Sequence, residues 1–250
     1  MGQAIIASMT FYKSLQETRV PLALRTAEEA QKYGYPLVVV DGGSPPQVLE
    51  ALRARGTKVH PQEGTGLGAA HRQLFSIAAG MSQPRSAIDW IEIEKWPLVS
   101  QLYRVNSLIL DGEADLVFPS RTPVGWKSYP PEQYHQEKLC NMAAAAITGY
   151  NLDWFWGPFA ANLKALQHFI EYRDEYGGTW DARTIPRLRV IAAGLKLTGV
   201  PVPYTHPPEQ TAEETGVLEP FIMRRVRQVC EQVPAMYEEA KKLNILAKRS

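Results

Sequence analysis

Short apolar runs alternate with longer amphipathic segments in the first half of the chain. The pattern predicts strands at 4–10, 36–41, 57–61 and 87–94, and helices at 14–34, 46–56 and 69–80. The second strand, "PLVVVD", is a continuous apolar run, which is typical of parallel strands buried on both faces. Strands and helices that alternate through short connections indicate an α/β fold, a doubly wound and mostly parallel sheet with helices on both faces.

The second half of the chain has a less regular pattern. It predicts helices at 98–112, 131–150 and 185–195, strands at 114–122 and 196–206, and an aromatic turn followed by a helix within 151–172. The tail at 218–247 is amphipathic and predicted to be helical, with a break near Pro234. We therefore expect a main domain at 1–217 and a helical C-terminal extension at 218–250. The apolar stripe of the extension predicts packing on the domain or on a second copy of the chain, as a homo-oligomer.

Composition narrows the function classes. The chain has 250 residues and a formal net charge of +1, so no global field favours nucleic acid or an acidic membrane surface. Cys140 and Cys230 form no CxxC pair, which argues against a zinc knuckle or a disulfide framework. No apolar run approaches the roughly 20 residues that a membrane-spanning helix needs. We expect a cytoplasmic protein with no nucleic-acid partner and no transmembrane segment.

Two glutamates one residue apart, Glu92 and Glu94, end the fourth predicted strand in "WIEIEKWPLV". Side chains alternate along a strand, so both should point to one face, at the edge where such sheets bind ligands. Two neighbouring carboxylates repel each other and one pKa should rise, unless a divalent cation lies between them and a ligand. Mg²⁺ is typically held by one or two carboxylates plus substrate phosphates. The alternative is a solvated strand end with Lys95 as a partial partner.

Polar residues also follow other predicted strands. Asp41 ends the second strand and is a candidate to accept a hydrogen bond from a ribose hydroxyl or a base N–H; alternatively it stabilises the turn. Lys13, Arg72 and Arg121 are candidates to bind a diphosphate, or else they are solvated surface cations. The loop "GTGLG" before the helix that carries Arg72 matches neither a P-loop nor a dinucleotide fingerprint, although its backbone can approach an anion.

The strand–helix order, "VVVDGGS" after the second strand and an acidic-x-acidic triplet after the fourth resemble the GT-A glycosyltransferases, which use nucleotide sugars. The resemblance covers residues 4–210. It implies that Asp41 contacts the nucleoside. It also implies that Glu92 and Glu94 occupy the DxD position, which binds metal and nucleotide-sugar diphosphate, with glutamate in place of both aspartates. His206, in "PYTHPPEQ", is the position that the resemblance implies as a further metal ligand.

Two further segments are similar to the acceptor side of that family. In "LDWFWGP", Trp154, Trp156 and Gly157 are predicted to contact the acceptor and Asp153 to bind its hydroxyl groups; the alternative is a core aromatic cluster. In "YGGTWDA", Asp181 is the candidate general base that removes the proton of the acceptor hydroxyl. The alternative for Asp181 is a helix N-cap.

The function that these observations favour is transfer of a sugar from a nucleoside-diphosphate-sugar donor to an unknown acceptor, with Mg²⁺ or Mn²⁺ as cofactor. Two alternatives remain open. One is a nucleotidyltransferase on a related fold, although the first strand is followed by "SMTFYKS" and not by a glycine-rich basic loop. The other is a non-catalytic nucleotide- or sugar-binding protein.

Overall fold

The computed structural model describes residues 2–215 and 218–247. The strands of this part of the chain are β1 (Ala4–Thr10), β2 (Leu37–Asp41), β3 (Lys58–Pro61), β4 (Ala87–Trp90), β5 (Leu116–Arg121), β6 (Phe159–Ala161) and β7 (Leu197–Val202). The helices are α1 (Arg19–Lys32), α2 (Pro46–Arg53), α3 (Leu67–Met81), α4 (Trp96–Val99), α5 (Leu102–Leu110), α6 (Pro123–Lys127), α7 (Pro131–Thr148), α8 (Leu163–Glu171), α9 (Asp181–Ala192), α10 (Pro208–Thr215) and α11 (Leu218–Lys242).

The strands form one seven-stranded sheet in the order β3-β2-β1-β4-β6-β5-β7. Only β6 runs antiparallel to its neighbours in the described residues, and the remaining pairs are parallel. β1 lies between β2 and β4, with Thr10 opposite Asp41 and Ala7 opposite Trp90. The carboxyl ends of these three strands therefore meet at one edge of the sheet, and the predicted mostly parallel α/β sheet is confirmed.

Both faces of the sheet are covered by helices. Ile5 and Ile6, neighbours on β1, are each fully buried but belong to different hydrophobic clusters. One cluster includes residues of α3, α8, α9 and α11, and the other includes residues of α1, α2 and α5. Because side chains alternate along a strand, a continuous apolar run such as β2 supplies both clusters.

The fourth strand is shorter than predicted and ends at Trp90. The backbone N–H of Ile91 still donates to Ala7 O of β1 at 3.3 Å, but the chain then turns. Lys95 N–H donates to Glu92 O at 2.9 Å and α4 begins directly afterwards. The predicted strand end is thus a turn, which the chain needs in order to enter the next helix.

Other differences from the sequence predictions concern short elements. The segment 98–112 is two helices, α4 and α5, and not one. β6 lies where only a turn and a helix were predicted, because three residues are too few to show a periodic pattern. α1 begins at Arg19 with Pro21 in its first turn, and α10 was not predicted.

The C-terminal helix α11 packs against α7 and α9 of the main domain. It runs through Pro234 without the predicted break. Phe221 and Met236 of its apolar stripe are buried, whereas Ile222 and Val226 are exposed. Part of the stripe therefore packs on the domain. The homo-oligomer stays a prediction. The division of the chain after residue 217 also stays a prediction, and residue 217 lies outside the described residues. Among the helices of residues 2–215 and 218–247, none is both long enough and apolar enough to span a membrane.

Candidate functional site

A polar cavity of about 320 Å³ lies at the carboxyl ends of β1 and β4. Residues from α3, α7, α9 and α11 complete its wall, so the C-terminal helix is part of it. Its basic residues are Arg19, Lys95, Arg183, Arg187, Arg224 and Arg225. Its acidic residues are Glu92, Glu94, Glu137 and Glu214. Among the described residues that line the cavity, basic side chains thus outnumber acidic ones by two, which favours an anionic ligand.

Glu92 is half-buried and faces this cavity between two cations. Its Oε1 lies 3.0 Å from Arg183 Nη1, and its Oε2 lies 3.7 Å from Lys95 Nζ. Burial alone would raise the pKa of Glu92, but Lys95 and Arg183 outweigh it and hold the pKa below its ordinary value. Glu92 is therefore a fixed negative charge at neutral pH.

Glu94 lines the same cavity in a different environment. Tyr12 Oη donates to Glu94 Oε1 at 2.8 Å. Burial raises the pKa of Glu94, against the opposing effects of Arg19 and the Tyr12 hydrogen bond, and Glu92 adds only the smallest of the contributions. One pKa of the pair is thus raised, as predicted, but mainly by burial and not by mutual repulsion.

His206 lines the same cavity as the two glutamates, but it is not placed with them as a third metal ligand. Its ring is 2 % exposed and stacks on Tyr129 at 4.2 Å, with Nε2 at 3.4 Å from the Glu214 carboxylate. In the two described stretches of the chain, groups of three or more His, Cys, Asp or Glu side chains placed to hold a metal ion are absent. A cation at Glu92 and Glu94 would therefore take its other ligands from phosphate and water, a donor set that suits Mg²⁺.

A second concave region lies beside the polar cavity, at the carboxyl ends of β1 and β2. This β1–β2 crevice has a volume of about 430 Å³ and is lined by residues of β1, the turn after β2, and α3. Phe11 lies at its edge with 60 % of its surface exposed. Met9 and Leu67 line both the crevice and the polar cavity, so one extended ligand can occupy both.

Asp41 stabilises the turn beside this crevice. It is 3 % exposed, and its Oδ1 accepts hydrogen bonds from the N–H groups of Gly43 at 3.0 Å and Ser44 at 2.7 Å. Its Oδ2 accepts from Thr10 Oγ1 at 3.1 Å. Direct contact with a nucleoside does not fit this arrangement, since the carboxylate is buried and is bonded within the protein on both oxygens. Asp41 shapes the crevice by holding the ends of β1 and β2 together.

The three cations predicted to bind a diphosphate, Lys13, Arg72 and Arg121, all belong to the described part of the chain but do not line the cavity. Lys13 is exposed. Arg72 forms an ion pair with Asp174 at 2.6 Å. Arg121 is 5 % exposed and is fully occupied by buried partners. The predicted positive charge is present at the site, but other residues supply it.

Arg121 is the centre of a buried ion network. Its guanidinium lies 2.5 Å from Glu137 and 2.8 Å from Asp153, and it packs 3.5 Å above the Trp126 ring. Asp153 also accepts a hydrogen bond from Asn141 at 2.9 Å. The carboxylate of Asp153 is therefore bound within the protein, and the predicted contact with acceptor hydroxyls does not fit this structure.

The aromatic segment after α7 is mostly core. Trp154 and Trp156 line the cavity but are 1 % and 3 % exposed, and the Trp154 indole donates to Tyr150 O at 3.1 Å. Rings that are this deeply buried expose too little surface to stack on a sugar. The alternative prediction, a core aromatic cluster, therefore describes them better. Half-buried aromatic surface in the cavity comes instead from Phe155 and Trp180.

Asp181 begins α9 and does not line the cavity. It is 3 % exposed, and its carboxylate accepts hydrogen bonds from Tyr172 Oη at 2.5 Å, Thr179 N at 2.6 Å and Gly178 N at 3.2 Å. These bonds hold the turn before the helix. The structure gives Asp181 no route to an acceptor hydroxyl, so the predicted general base does not fit here.

The face of α9 that lines the cavity carries two arginines that sequence reasoning missed as site residues. Arg183 and Arg187 are four residues apart, a spacing that places both on one side of a helix. Arg187 is 1 % exposed and donates to the carbonyl groups of Trp154 at 2.5 Å and Gly157 at 2.7 Å. Burial, followed by repulsion from Arg183, lowers the pKa of Arg187 to about 9. The signal in the sequence was the spacing in "RTIPR".

No protein-family model and no curated protein matches the sequence. The fold is similar to crystal structures of glucosyl-3-phosphoglycerate synthase from Mycobacterium tuberculosis. One structure, in complex with Mn²⁺, UDP and glucosyl-3-phosphoglycerate, is 13% identical with a TM-score of 0.57 over 92% of this chain and 81% of that chain. A second holds Mn²⁺, UDP-glucose and phosphoglyceric acid, at 13% identity and a TM-score of 0.57 over 92% and 80%. A third holds Mg²⁺ and UDP, at 12% identity and a TM-score of 0.51 over 92% and 80%. At such identities the likeness establishes the fold, and this chain has the GT-A-like α/β fold.

Proposed function

We propose that this protein is a glycosyltransferase that uses a nucleoside-diphosphate-sugar donor. One observation carries the proposal: the β1–β2 crevice adjoins a cationic cavity that is lined by Glu92 and Glu94, at the carboxyl edge of a GT-A-like sheet. Open α/β sheets bind ligands at this edge. Solved structures with the same fold hold UDP or UDP-glucose.

The donor spans the two concave regions. The nucleoside occupies the β1–β2 crevice, where Phe11 offers an exposed ring and Asp41 holds the turn. The diphosphate and the sugar extend past Met9 and Leu67 into the polar cavity. Lys95, Arg183 and Arg187 are held in place by protein partners, so they stabilise charge on the diphosphate leaving group without reorganising.

A divalent cation is the cofactor that we assign to the site. The synthase structures hold Mn²⁺ or Mg²⁺ with UDP, and here Glu92 and Glu94 supply two carboxylates to one cavity. When bound, the cation neutralises the charge that develops on the diphosphate. Lys95 and Arg183 keep Glu92 ionised and oriented toward the cavity.

We infer that the acceptor carries a phosphate or carboxylate group. The cavity has an excess of two basic residues, and a bound divalent cation would add two more positive charges. The diphosphate of a nucleotide sugar carries about two negative charges, so about two positive charges would remain for the acceptor. Arg224 and Arg225 of α11 line the cavity together with the arginines of α9 and supply the surplus charge. One of the synthase structures holds phosphoglyceric acid, an acceptor of this class.

Calorimetric titration with UDP, with Mn²⁺ and with chelator, tests the proposal. We expect Mn²⁺ to raise UDP affinity by on the order of tenfold or more, which corresponds to about 1.4 kcal/mol. Glu94→Gln should remove that rise while leaving the metal-free affinity similar or stronger. Glu113→Gln is the matched control, because Glu113 is exposed in the loop before β5, at the opposite edge of the sheet.

Turnover separates the remaining alternatives. Release of UDP from UDP-glucose in the presence of an anionic acceptor such as phosphoglyceric acid supports a transferase. Pyrophosphate release from a nucleoside triphosphate would favour a nucleotidyltransferase, and tight binding without turnover across a donor panel would favour a binding protein. Equal UDP affinity with chelator and with excess Mn²⁺ would contradict the role of the glutamate pair.

Gly157 provides a second prediction, because it leaves room for Glu92. Its φ is +107°, and an added Cβ would lie 2.3 Å from Glu92 Oε1. We expect Gly157→Ala to displace the Glu92 carboxylate and to weaken Mn²⁺-dependent UDP binding on the order of tenfold. Gly177→Ala is the matched control, since Gly177 has a φ of +111° but nothing within 4 Å of an added Cβ. Equal losses in the two variants would mean that backbone strain alone causes the effect.

A further inference from the structure

Two neighbouring rings in the polar cavity each carry a buried polar atom without a hydrogen-bond partner. His71 of α3 and Trp90 of β4 both line the cavity and are 1 % and 2 % exposed. Their ring centroids lie 4.7 Å apart at an interplanar angle of 62°. Within the described residues, neither His71 Nε2 nor Trp90 Nε1 forms a hydrogen bond with any protein group.

The tautomer of His71 follows from its other nitrogen. Nδ1 lies 2.9 Å from the carbonyl oxygen of Leu67, which can only accept, so Nδ1 carries the proton. Nε2 is then a hydrogen-bond acceptor with a free lone pair. Trp90 Nε1–H can only donate. The two neighbouring rings therefore offer one acceptor and one donor.

This combination is complementary to a hydroxyl group. A hydroxyl can give its proton to His71 Nε2 and accept the N–H of Trp90, whereas an ionised phosphate has no proton for the histidine. Buried polar groups are nearly always paired in native proteins, so an unpaired complementary couple in a ligand cavity points to a ligand group. Building on the proposed function, we propose that His71 and Trp90 bind a hydroxyl group of the transferred sugar.

The location favours the sugar over the nucleoside. His71 and Trp90 line the polar cavity but not the β1–β2 crevice. His71 lies one helical turn beyond Leu67, which borders both regions, so it follows the point where the donor leaves the crevice. On the other side, Trp90 is two residues from Glu92, where we place the cation. The hydroxyl site is thus next to the diphosphate, where the sugar of the donor must lie.

Charge around the imidazole is consistent with this role. Burial first, and then Arg183, Arg187 and Arg72, lower the pKa of His71 to about 3. The hydrogen bond that Leu67 O accepts opposes this shift only in part. His71 therefore stays neutral from weakly acidic to alkaline pH and keeps its acceptor. It positions the sugar and does not act as the general base.

Calorimetry with UDP-glucose and with UDP tests the inference, since only the former contains the sugar. We expect His71→Phe to weaken UDP-glucose binding by about tenfold and to leave UDP binding unchanged, because one sugar hydroxyl loses its acceptor. His71→Gln, which can place an amide oxygen near Nε2, should recover part of the loss. A series of UDP-deoxyglucoses supplies the second measurement on the wild-type protein. One member should bind about tenfold more weakly than UDP-glucose to the wild type, but equally to His71→Phe.

Three outcomes would overturn the inference. If His71→Phe weakens UDP and UDP-glucose equally, the residue supports the fold of the site and not the sugar. If no deoxy position weakens binding to the wild type, water occupies the pair. If the wild type binds neither UDP nor UDP-glucose, the proposed function fails and the sugar contact fails with it. In the two preceding outcomes the wild type still binds UDP, so the two kinds of failure can be told apart.

Discussion

Replacement of Arg121 with methionine is expected to lower the free energy of unfolding by about 3–5 kcal/mol. Arg121 is bonded to Glu137 and Asp153, which are 3 % and 5 % exposed. Without the guanidinium, two carboxylates remain buried without their central counter-charge, and such groups are costly in a low-dielectric interior. Urea denaturation at pH 7 measures the loss.

A matched control separates the buried network from an ordinary ion pair. Arg72→Met removes the 2.6 Å contact with Asp174. The side chains of Arg72 and Asp174 are 24% and 27% exposed. Solvent screening reduces such a contact to at most about 1 kcal/mol. The triple replacement of Arg121, Glu137 and Asp153 by neutral residues should recover much of the loss, because neither carboxylate is then left buried without Arg121. Equal destabilisation by Arg121→Met and Arg72→Met would show that burial of the network contributes nothing.

Much of the sheet could be predicted from the sequence because several of its strands are apolar runs separated by amphipathic helices. β2 is the clearest case, with all five residues buried. The end of β4 could not be predicted in the same way. "WIEIE" alternates like a strand, and Ile91 and Ile93 are fully buried, yet the backbone turns there. Side-chain periodicity reports which positions are buried, but not whether the backbone keeps a ladder partner.

The acidic half of the site was easier to predict than its basic half. Glu92 and Glu94 could be placed because they directly follow the carboxyl end of a predicted strand, where such sheets bind ligands. Arginines give no such signal, since the same residue type serves on surfaces, in cavities and in buried networks. Arg121, which was predicted at the site, lies in a buried network, whereas Arg187, which was not singled out, lines the cavity. Arg121 is held by partners 16 and 32 residues away in the chain, which only the folded structure brings together.

The part played by α11 illustrates the same limit. Its apolar stripe predicted packing, and Met236 is indeed buried against the domain. Its polar face, however, places Arg224, Arg225, Gln228 and Gln232 in the wall of the cavity. A helix far from the sheet in sequence thereby completes the site, which local patterns along the chain do not reveal.

Asp89→Asn is expected to stabilise the protein at alkaline pH, by up to about 5 kcal/mol at pH 8. Asp89 lies on β4, is 0 % exposed, and receives one hydrogen bond, from Asn106 Nδ2 at 2.9 Å. Burial raises its pKa from the ordinary value of 3.8 to about 8, against the smaller opposing effect of that bond. Between these two values the folded state holds a proton that the unfolded state has lost. The stability contributed by Asp89 is therefore fully present below pH 3.8 and is lost as the pH rises toward 8.

Asparagine keeps the shape of the protonated acid and cannot ionise, so the variant should lose this part of the pH dependence. Urea denaturation at intervals between pH 5 and pH 8.5 should give curves for wild type and Asp89→Asn that diverge as the pH rises, with the variant increasingly the more stable. Asp111→Asn is the matched control, because Asp111 is exposed at the end of α5 and its replacement should leave the slope unchanged. Parallel curves for wild type and Asp89→Asn would mean that Asp89 is already ionised in the folded state, with a counter-charge supplied inside the core.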